Sequence, residues 1–372
     1  MPVRMTRRTK ALLGLAGACA VLGGVAYAWR GDIAIAMMRQ NIAAALSTDA
    51  IADLPDGLHV GLCGAGSPFS DALRSGPCVA VVAGRRLFVV DAGDGAARNL
   101  QRMALAPGRV EAVLLTHFHS DHIDGLGALM LQRWVAGANA TPLPIHGPQG
   151  VDAVVAGFNA AYTLDRGYRI AHHGPQIVLP GGFGGLAKPF ASKTSTPFAR
   201  ADDGDVVVIS DSDLKVTAFA VSHAPIEPAV GYSFDYKGRK VVISGDTTPS
   251  PRVEAAAKGA DLLVHEALAP NLVRLLEEGA RAAGRPNLEK IFKDIVDYHT
   301  TPEQAADIAQ RAGTGFLLLH HIVPALPLAA LEQPFLGASR TRFSGSIKLG
   351  RDGDFVSMPA GTKAITVTNR LN

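Results

Sequence analysis

The stretch THFHSDH, residues 116–122, decides the fold, because three histidines and one aspartate occupy six consecutive positions within it. It follows VEAVLLTH (110–117), whose β-branched and Leu residues predict a buried strand. Polar side chains clustered where a buried strand ends need a partner, and imidazole with carboxylate is a ligand set for a metal ion. Because the motif holds no thiolate, it indicates zinc, with manganese or iron as substitutes.

The spacing inside this motif divides its ligands into two groups. His117 and His119 are two residues apart, so they point to one side of an extended backbone, whereas Asp121 and His122 belong to the following turn and the start of the next helix. The sequence therefore predicts two neighbouring half-sites that hold two cations.

HFHSDH is identified as the His-x-His-x-Asp-His signature of the metallo-β-lactamase superfamily. The resemblance implies an α/β fold, a four-layer αββα sandwich with a dinuclear metal site along one edge of its sheets. Further ligands are then expected at the ends of later strands. Of the two histidines in FLLLHH (316–321), His321 is expected to be the ligand and His320 is not, because the family commonly reads Leu-Thr-His-x-x-Pro there. The ligands that the resemblance implies are His117, His119 and His223 for site one, Asp121, His122 and His321 for site two, and Asp246 as the bridge.

Two later segments, DLLVHEA (261–267) and HTTPEQAA (299–306), resemble the His-Glu-Ala and His-Ser-Thr segments of the ribonuclease Z and arylsulfatase-like branch. The resemblance covers residues 58–324 in ordered blocks. It implies that His299, with Glu266 as its acidic partner, passes a proton to the leaving oxygen. The alternative is that His299 only caps the following helix. The expected catalytic residues are Asp121, His299 and Glu266.

The remaining histidines are not expected to bind metal. Asp91, at the end of the predicted strand 86–93, matches a family aspartate that supports the site from behind, and His265 is expected in a similar position. His59 is expected to be structural. The residues expected at the surface or beside the site are His146, His172 and His173.

The N-terminus resembles an export segment. Residues 1–10 are basic and residues 11–28 form an uncharged apolar run. A cleaved signal, with Ala26-Tyr27-Ala28 as the peptidase site, and a retained membrane anchor both fit, and lipidation at Cys19 is a third alternative. All three predict a catalytic domain outside the cytoplasm. The predicted organisation is a signal peptide or anchor at 1–28, a linker or helical lead-in at 29–57, and a catalytic domain at 58–372 with an insertion or lid at 151–205.

Two further cysteines, Cys63 and Cys78, flank a Gly/Pro/Ser-rich turn between predicted strands. In an oxidising compartment such a pair can be bridged, and two buried free thiols are the alternative. We expect a disulfide in exported protein.

Composition and charge narrow the function. Hydrophobic residues make up 48% and charged residues 19% of the chain, which excludes intrinsic disorder. The net charge is 36 − 33 = +3, and residues 1–28 hold four cations and no acid, so the remainder carries −1. Proteins that grip nucleic acid generally carry excess positive charge. The balance therefore does not favour nucleic acid as a partner.

These observations together predict an exported binuclear zinc hydrolase that cleaves a small anionic or aryl ester (a phosphodiester, sulfate ester or lactone) with water activated between the metals. An uncleaved N-terminal segment would make the membrane a partner. The alternatives are a ribonuclease Z-type nuclease or phosphodiesterase acting on nucleic acid, and a di-iron redox protein on the same scaffold.

The Gly-rich loop at 180–189 sits where ribonuclease Z carries an RNA-gripping arm. The basic residues around it are matched by acids, so a lid over the active site is expected instead. The basic residues are Lys188, Lys193 and Arg200, and the acids are Asp202, Asp203 and Asp205.

Overall fold

The computed structural model describes residues 6–47, 49–190 and 204–371. The chain divides into two compact units, Met1–Asp49 and Ala50–Asn372.

The first unit consists of helix α1 (Arg7–Ala28) and helix α2 (Arg30–Ser47). The Thr6 hydroxyl caps α1 by accepting a hydrogen bond from the Thr9 amide. By length and composition α1 could cross a membrane, a property that it shares with signal sequences. It is a candidate anchor.

The second unit contains two β-sheets, with strands numbered along the chain. The strands of the first sheet are β1 (Gly57–Gly64), β2 (Cys78–Ala83), β3 (Arg86–Val90), β4 (Val110–Leu114), β5 (Leu143–Gly147), β6 (Gly185–Pro189), β14 (Asp354–Pro359) and β15 (Thr366–Asn369). Their order is β15-β14-β1-β2-β3-β4-β5-β6. Strands β3 to β6 run parallel, and the other neighbours are antiparallel.

The second sheet has the order β13-β12-β11-β10-β9-β8-β7. Its strands are β7 (Val206–Ser210), β8 (Leu214–Ala220), β9 (Val230–Tyr236), β10 (Arg239–Ile243), β11 (Leu262–Leu268), β12 (Phe316–Val323) and β13 (Ser346–Leu349). Strands β10 to β13 run parallel, so their carboxyl ends share one edge.

Helices connect the strands. The α-helices of the second unit are α3 (Ala96–Arg102), α4 (Ser120–Ile123), α5 (Leu126–Val135), α6 (Val151–Ala161), α7 (Thr163–His173), α8 (Pro251–Ala256), α9 (Pro270–Ala282), α10 (Pro286–Asp294), α11 (Pro302–Ala312), α12 (Glu332–Leu336) and α13 (Ser339–Arg342). Short 3-10 helices lie at Pro107–Arg109, Pro180–Gly182, Ile295–Tyr298 and Ala329–Leu331.

Three apolar layers hold the second unit together. Between the sheets, side chains such as Phe88 and Leu114 pack with Phe234 and Val264. The outer face of the first sheet packs on α3, α5 and α6, and that of the second on α8 and α11. Burying both faces of each sheet in this way gives the expected four-layer αββα sandwich, which is confirmed.

Helix α4 ends at Ile123 and α5 begins at Leu126, with Gly125 between them. The Gly125 amide donates to the Ala92 carbonyl oxygen at 2.9 Å. A Cβ atom at Gly125 would lie 2.1 Å from the Gly93 carbonyl oxygen, so only glycine permits this approach. The contact seats the metal-binding segment against the end of β3.

The stretch at 151–205, predicted as an insertion or lid, contains α6, α7 and β6. Strand β6 pairs with β5 from Leu143↔Gly185 to Gly147↔Pro189, so residues 185–189 belong to the sheet and do not form a lid. Asp205 forms an ion pair with Arg252. Lys193, Arg200, Asp202 and Asp203 lie outside the described residues.

Cys63 at the end of β1 and Cys78 at the start of β2 form a disulfide across neighbouring strands, with 5.0 Å between their Cα atoms. The expected bridge is therefore present in the structure.

Candidate metal centre

The expected ligands gather at one edge of the sandwich, and both sheets supply them. Those that follow strands of the first sheet are His117, His119, Asp121 and His122, after β4. Those that lie at strand ends of the second sheet are His223 after β8, Asp246 after β10 and His321 in β12. The carboxyl end of a strand is the usual location of binding residues in such sheets.

In the first group, four side chains each offer one ligand atom within 4.8 Å of the others: His117, His119, His223 and Asp246. His117 Nε2 lies 3.1 Å from His119 Nδ1. The ring centroids of His117 and His223 are 5.0 Å apart and nearly perpendicular. These side chains converge on one point, as the ligands of a single cation do.

In the second group, Asp121, His122 and His321 meet the same distance condition. His321 Nε2 lies 3.4 Å from Asp121 Oδ2, and His122 Nε2 lies 3.7 Å from that oxygen. The pairing of β12 with β11 shifts register at His321, which has a φ of 47° and no partner of its own in the ladder. This bulge turns the His321 side chain into the site.

Asp246 contacts both groups through one oxygen. Its Oδ2 lies 3.4 Å from His122 Nε2 and 3.3 Å from His321 Nε2. The same oxygen lies 3.9 Å from the Nε2 atoms of His117 and His223. A carboxylate between four imidazoles has the position of a bridging ligand.

Hydrogen bonds behind the site fix two of the imidazole rings. Asp91, whose φ of 57° is left-handed, accepts from the Thr116 amide and hydroxyl and lies 2.8 Å from His122 Nδ1. The single hydroxyl hydrogen of Thr116 is given to Asp91, so this hydroxyl can only accept from His117 Nδ1, 3.0 Å away. His117 and His122 therefore carry their protons on Nδ1 and turn Nε2 toward the cluster.

His223 is oriented in the same way, because its Nδ1 donates to the Tyr298 carbonyl oxygen at 2.9 Å. Burial lowers the pKa of His117 well below its usual value, lowers that of His119, and lowers that of His223 to about 4. All three rings are therefore neutral at pH 7 and offer a lone pair.

The site fits a metal ion because its inward-facing atoms lack other partners. Among the described residues, His122 Nε2, His223 Nε2 and Asp246 Oδ1 are buried and accept or donate no hydrogen bond. Buried polar atoms are almost always satisfied, so three such atoms in one cluster fit a site that binds a cation. The nitrogen and oxygen donor set is one that zinc accepts.

The expected acid pair lies beside this cluster. His299 Nδ1 is 3.3 Å from Glu266 Oε1, which also accepts from the amides of Thr247 and Thr300. Burial alone would lower the pKa of His299, but the Glu266 and Asp246 carboxylates together raise this pKa above the usual value. Thr301, and not His299, caps α11 through a capping box. His299 also forms a distance-compatible group with Asp246 and His321.

His320 lies outside every ligand group in the described residues. It pairs with Glu266 across the ladder and is buried, with no partner for either ring nitrogen in the described chain. His265 Nδ1 donates to the Glu266 carbonyl oxygen, so it supports the segment that carries Glu266.

The other histidines are away from the cluster. His59 is buried, with its ring nitrogens 2.8 Å from Ser357 Oγ and 2.9 Å from the Pro55 carbonyl oxygen. His146 lies on β5, and the rings of His172 and His173 contact each other on the exposed end of α7.

A cleft of about 240 Å³ opens onto the metal cluster, and sequence reasoning missed half of its lining. The missed residues come from the β1–β2 loop, from α10 with its 3-10 extension, and from β12. They are Pro68, Phe69, Ile291, Ile295, Tyr298 and Val323. Only the adjacency of Tyr298 to His299 could have signalled one of them, since the others are apolar or proline residues without ligand chemistry.

The geometry of the site agrees with the protein family whose sequence pattern this chain matches. Residues 86–322 match the model described as the beta-lactamase superfamily domain. The chain belongs to the metallo-β-lactamase superfamily.

Among curated proteins, it is 35% identical over 309 residues to ribonuclease Z of Mycolicibacterium gilvum (strain PYR-GCK), covering 82% of this chain and 98% of the relative. It is also 35% identical over 297 residues to ribonuclease Z of Mycobacterium avium (strain 104), covering 79% and 96%.

Solved structures of other superfamily members share the fold. Human tRNase Z, short form, aligns with a TM-score of 0.56 at 22% identity, covering 81% of this chain and 99% of that one. A metallo-beta-lactamase fold protein from Bacillus subtilis aligns with a TM-score of 0.53 at 19% identity, covering 80% and 98%.

These findings correct the predicted activity. This superfamily member is a metal-dependent hydrolase, so the di-iron redox alternative lacks support. Because its relatives are ribonucleases Z, the prediction of an exported esterase for small anionic or aryl substrates is wrong, and so is the exclusion of nucleic acid as a partner. The arylsulfatase-like assignment has no support. The charge argument failed because a net charge of −1 for the sequence after residue 28 averages the whole surface and does not describe the charge at one site.

Proposed function

We propose that this protein is a metal-dependent ribonuclease of the ribonuclease Z type, which hydrolyses a phosphodiester bond in RNA. The observation that carries the proposal is the 35% identity to ribonuclease Z across 98% of the relative, in a chain whose His/Asp cluster is complete. Because this chain resembles the ribonuclease Z branch, which contains transfer-RNA processing nucleases, a transfer-RNA precursor is the first substrate to test.

The cluster would hold two zinc ions. His117, His119 and His223 would bind the first, Asp121, His122 and His321 the second, and Asp246 would bridge them; the distances from Asp246 Oδ2 to four Nε2 atoms support this assignment. Zinc bound here would polarise phosphoryl oxygens and lower the pKa of water toward neutrality.

The His299–Glu266 pair would complete the reaction. Hydroxide, formed when water gives a proton to solvent, attacks phosphorus and breaks the bond to the leaving oxygen, which then needs a proton. A protonated His299, held through Nδ1 by Glu266, has Nε2–H left to donate to that oxygen. Asp121 would act as a ligand of the second ion beside His321, whose Nε2 lies 3.4 Å from Asp121 Oδ2.

Cleavage of a labelled transfer-RNA precursor by purified protein tests the proposal. Wild-type protein should cut the precursor at one position, lose activity with a chelator and regain it with zinc. His119→Ala should abolish cleavage. His172→Ala, a change in an exposed histidine of α7, is the matched control and should retain full activity.

Zinc-loaded protein that leaves this and other structured RNAs intact would contradict the proposal. A chelator-insensitive activity, or one that His119→Ala retains, would contradict the metal centre.

Location is a separate proposal, under which the transfer-RNA precursor is a test substrate and the natural RNA is one met outside the cytoplasm. The candidate anchor α1 and the Cys63–Cys78 disulfide support a catalytic unit outside the cytoplasm, since disulfides persist mainly in oxidising compartments. A reporter enzyme that works only outside the cytoplasm, fused after residue 49, should be active, and deletion of residues 1–28 should abolish its signal. An inactive reporter fused to the intact segment would contradict this location.

A further inference from the structure

The cleft beside the metal cluster has two chemically different sides. One is polar and made of His119, Asp121, Asp246, His299 and His321, with Ser120. The other, which we name the aromatic wall, consists of Phe69, Ile291, Ile295, Tyr298 and Val323. None of the described residues lining this cleft is a lysine or arginine.

The aromatic wall is held in place from behind. The Phe69 ring contacts Phe292 with 5.9 Å between centroids, and both pack against the small core formed by Leu268, Val273 and Val323. This packing joins the β1–β2 loop to α10, so the wall exists before any ligand binds.

Tyr298 connects the wall to the metal cluster. The Tyr298 carbonyl oxygen accepts a hydrogen bond from His223 Nδ1. The Tyr298 ring contacts the His223 ring edge-on, with 4.9 Å between the centroids. A group resting on the wall therefore lies next to the side chains that would hold a phosphate.

The wall remains partly uncovered. Ile291 is 48% exposed, and Phe69, Ile295 and Tyr298 are only half-buried. Aromatic and apolar side chains kept in the open beside a reactive centre are typical of a ligand-binding face.

Size and charge restrict the ligand. A cleft of about 240 Å³ is smaller than the roughly 300–1,000 Å³ of most small-molecule sites, so it suits one planar ring system and not a run of stacked bases. Without a lining cation, this side of the cleft cannot pair with a second phosphate. A nucleobase meets both conditions, because every base has a π-face that stacks on aromatic side chains.

We propose that the aromatic wall is a subsite for a single nucleobase, on a nucleotide that flanks the scissile phosphate. The inference rests on the proposed ribonuclease function and assigns Phe69 and Tyr298 as the stacking residues. The base would contribute by stacking and not by hydrogen bonding, so the subsite would accept any of the four bases.

The test uses the full chain, loaded with zinc, and a minimal transfer-RNA precursor whose cut position has been mapped. Two further substrates carry an abasic residue, one on each side of that position. We expect one abasic substitution to lower kcat/KM about tenfold or more, in line with the effect of removing one stacked base.

Phe69→Leu keeps the apolar packing and removes the aromatic face. It should lower kcat/KM for the intact precursor by a similar factor and have little effect on the sensitive abasic substrate, because the same contact is already missing. Two zinc ions should remain bound. Val367→Ala, at an exposed position on β15, is the control for loss of an apolar side chain and should cleave all substrates like wild type.

The outcomes separate the two proposals. If wild type cleaves the intact and both abasic precursors at equal rates, the ribonuclease function stands and the subsite is wrong. The subsite is equally wrong if Phe69→Leu cleaves the intact precursor like wild type. A wild-type protein that cleaves none of them overturns the ribonuclease function, and the subsite with it.

Discussion

Glu266 Oε1 lies 3.3 Å from His299 Nδ1 and is itself fixed by two backbone amides, so an anchored carboxylate faces one nitrogen of a nearly buried imidazole. The Glu266 and Asp246 carboxylates raise the pKa of His299 above its usual value against the opposing effect of burial, which favours the protonated ring that an acid needs. The arrangement is that of a proton donor held ready beside the metal ligands.

The pH dependence of cleavage should report this pair. If protonated His299 is the acid, kcat falls as pH rises through its pKa, which lies above the usual value of 6.5. Glu266→Gln removes the charge that raises this pKa, so the decline should move to lower pH. A pH–rate profile of both proteins measures the shift. An unchanged profile in the variant would contradict the role of Glu266.

Removing the imidazole should separate acid catalysis from metal binding. We expect His299→Ala to lower kcat by roughly 10²- to 10⁴-fold, the usual contribution of a positioned acid, while two metal ions stay bound. Substrates with acidic leaving groups should be affected least, because they depart without a proton. If metal analysis finds one ion in the variant, His299 is a ligand with Asp246 and His321.

The two adjacent histidines of β12 should behave differently. His321→Ala should lose one metal ion, because His321 Nε2 faces both Asp121 and Asp246. His320→Leu should keep both ions, since neither His320 ring nitrogen has a partner in the described chain and leucine removes an unsatisfied buried polar group. Metal content and urea unfolding of both variants distinguish them. The opposite pattern of metal loss would reverse the assignment.

Asp91 should control metal affinity without touching the metal. Asp91→Asn replaces one carboxylate oxygen by an NH2 donor. That donor would face either the Thr116 amide, which donates to Oδ1, or the Thr116 hydroxyl and His122 Nδ1, which both contact Oδ2. We expect metal affinity to fall roughly 10- to 100-fold, the usual effect of losing a residue that orients a ligand. Competition with a fluorescent zinc chelator measures it. Wild-type affinity in the variant would show that the rings keep their orientation without this carboxylate.

The disulfide should stabilise the first sheet. Replacing Cys63 and Cys78 by serine should lower the free energy of unfolding by about 3 kcal/mol, the chain-entropy contribution of a loop closed over a separation of 15 residues. Urea unfolding of oxidised protein and variant gives the difference, and Cys19→Ser is the control. Mass spectrometry that finds two free thiols in the native protein would contradict the bridge.

The four residues of the cluster that lie in the His-x-His-x-Asp-His motif were predictable from the sequence because this motif combines donor chemistry with a fixed local spacing. The other three, His223, Asp246 and His321, were expected only from the family resemblance. Other parts depend on tertiary contacts that no local pattern records. The bulge at His321 arises from pairing with β11, and the position of Asp246 between four imidazoles arises from the packing of the two sheets. The aromatic wall joins Phe69 to Tyr298 across more than half of the chain, so neither residue predicts the other.

Each of the two groups of expected ligands contains side chains that follow strands of both sheets. A bound cation would therefore hold the two sheets together. A cation held by His117 and His223, or by His122 and His321, would cross-link the two halves of the sandwich at their open edge. Metal binding and folding are then thermodynamically linked, since a ligand that binds only the folded state stabilises it. The protein without metal should unfold first along this edge. A shortage of metal would therefore lower the stability of the folded enzyme as well as its activity.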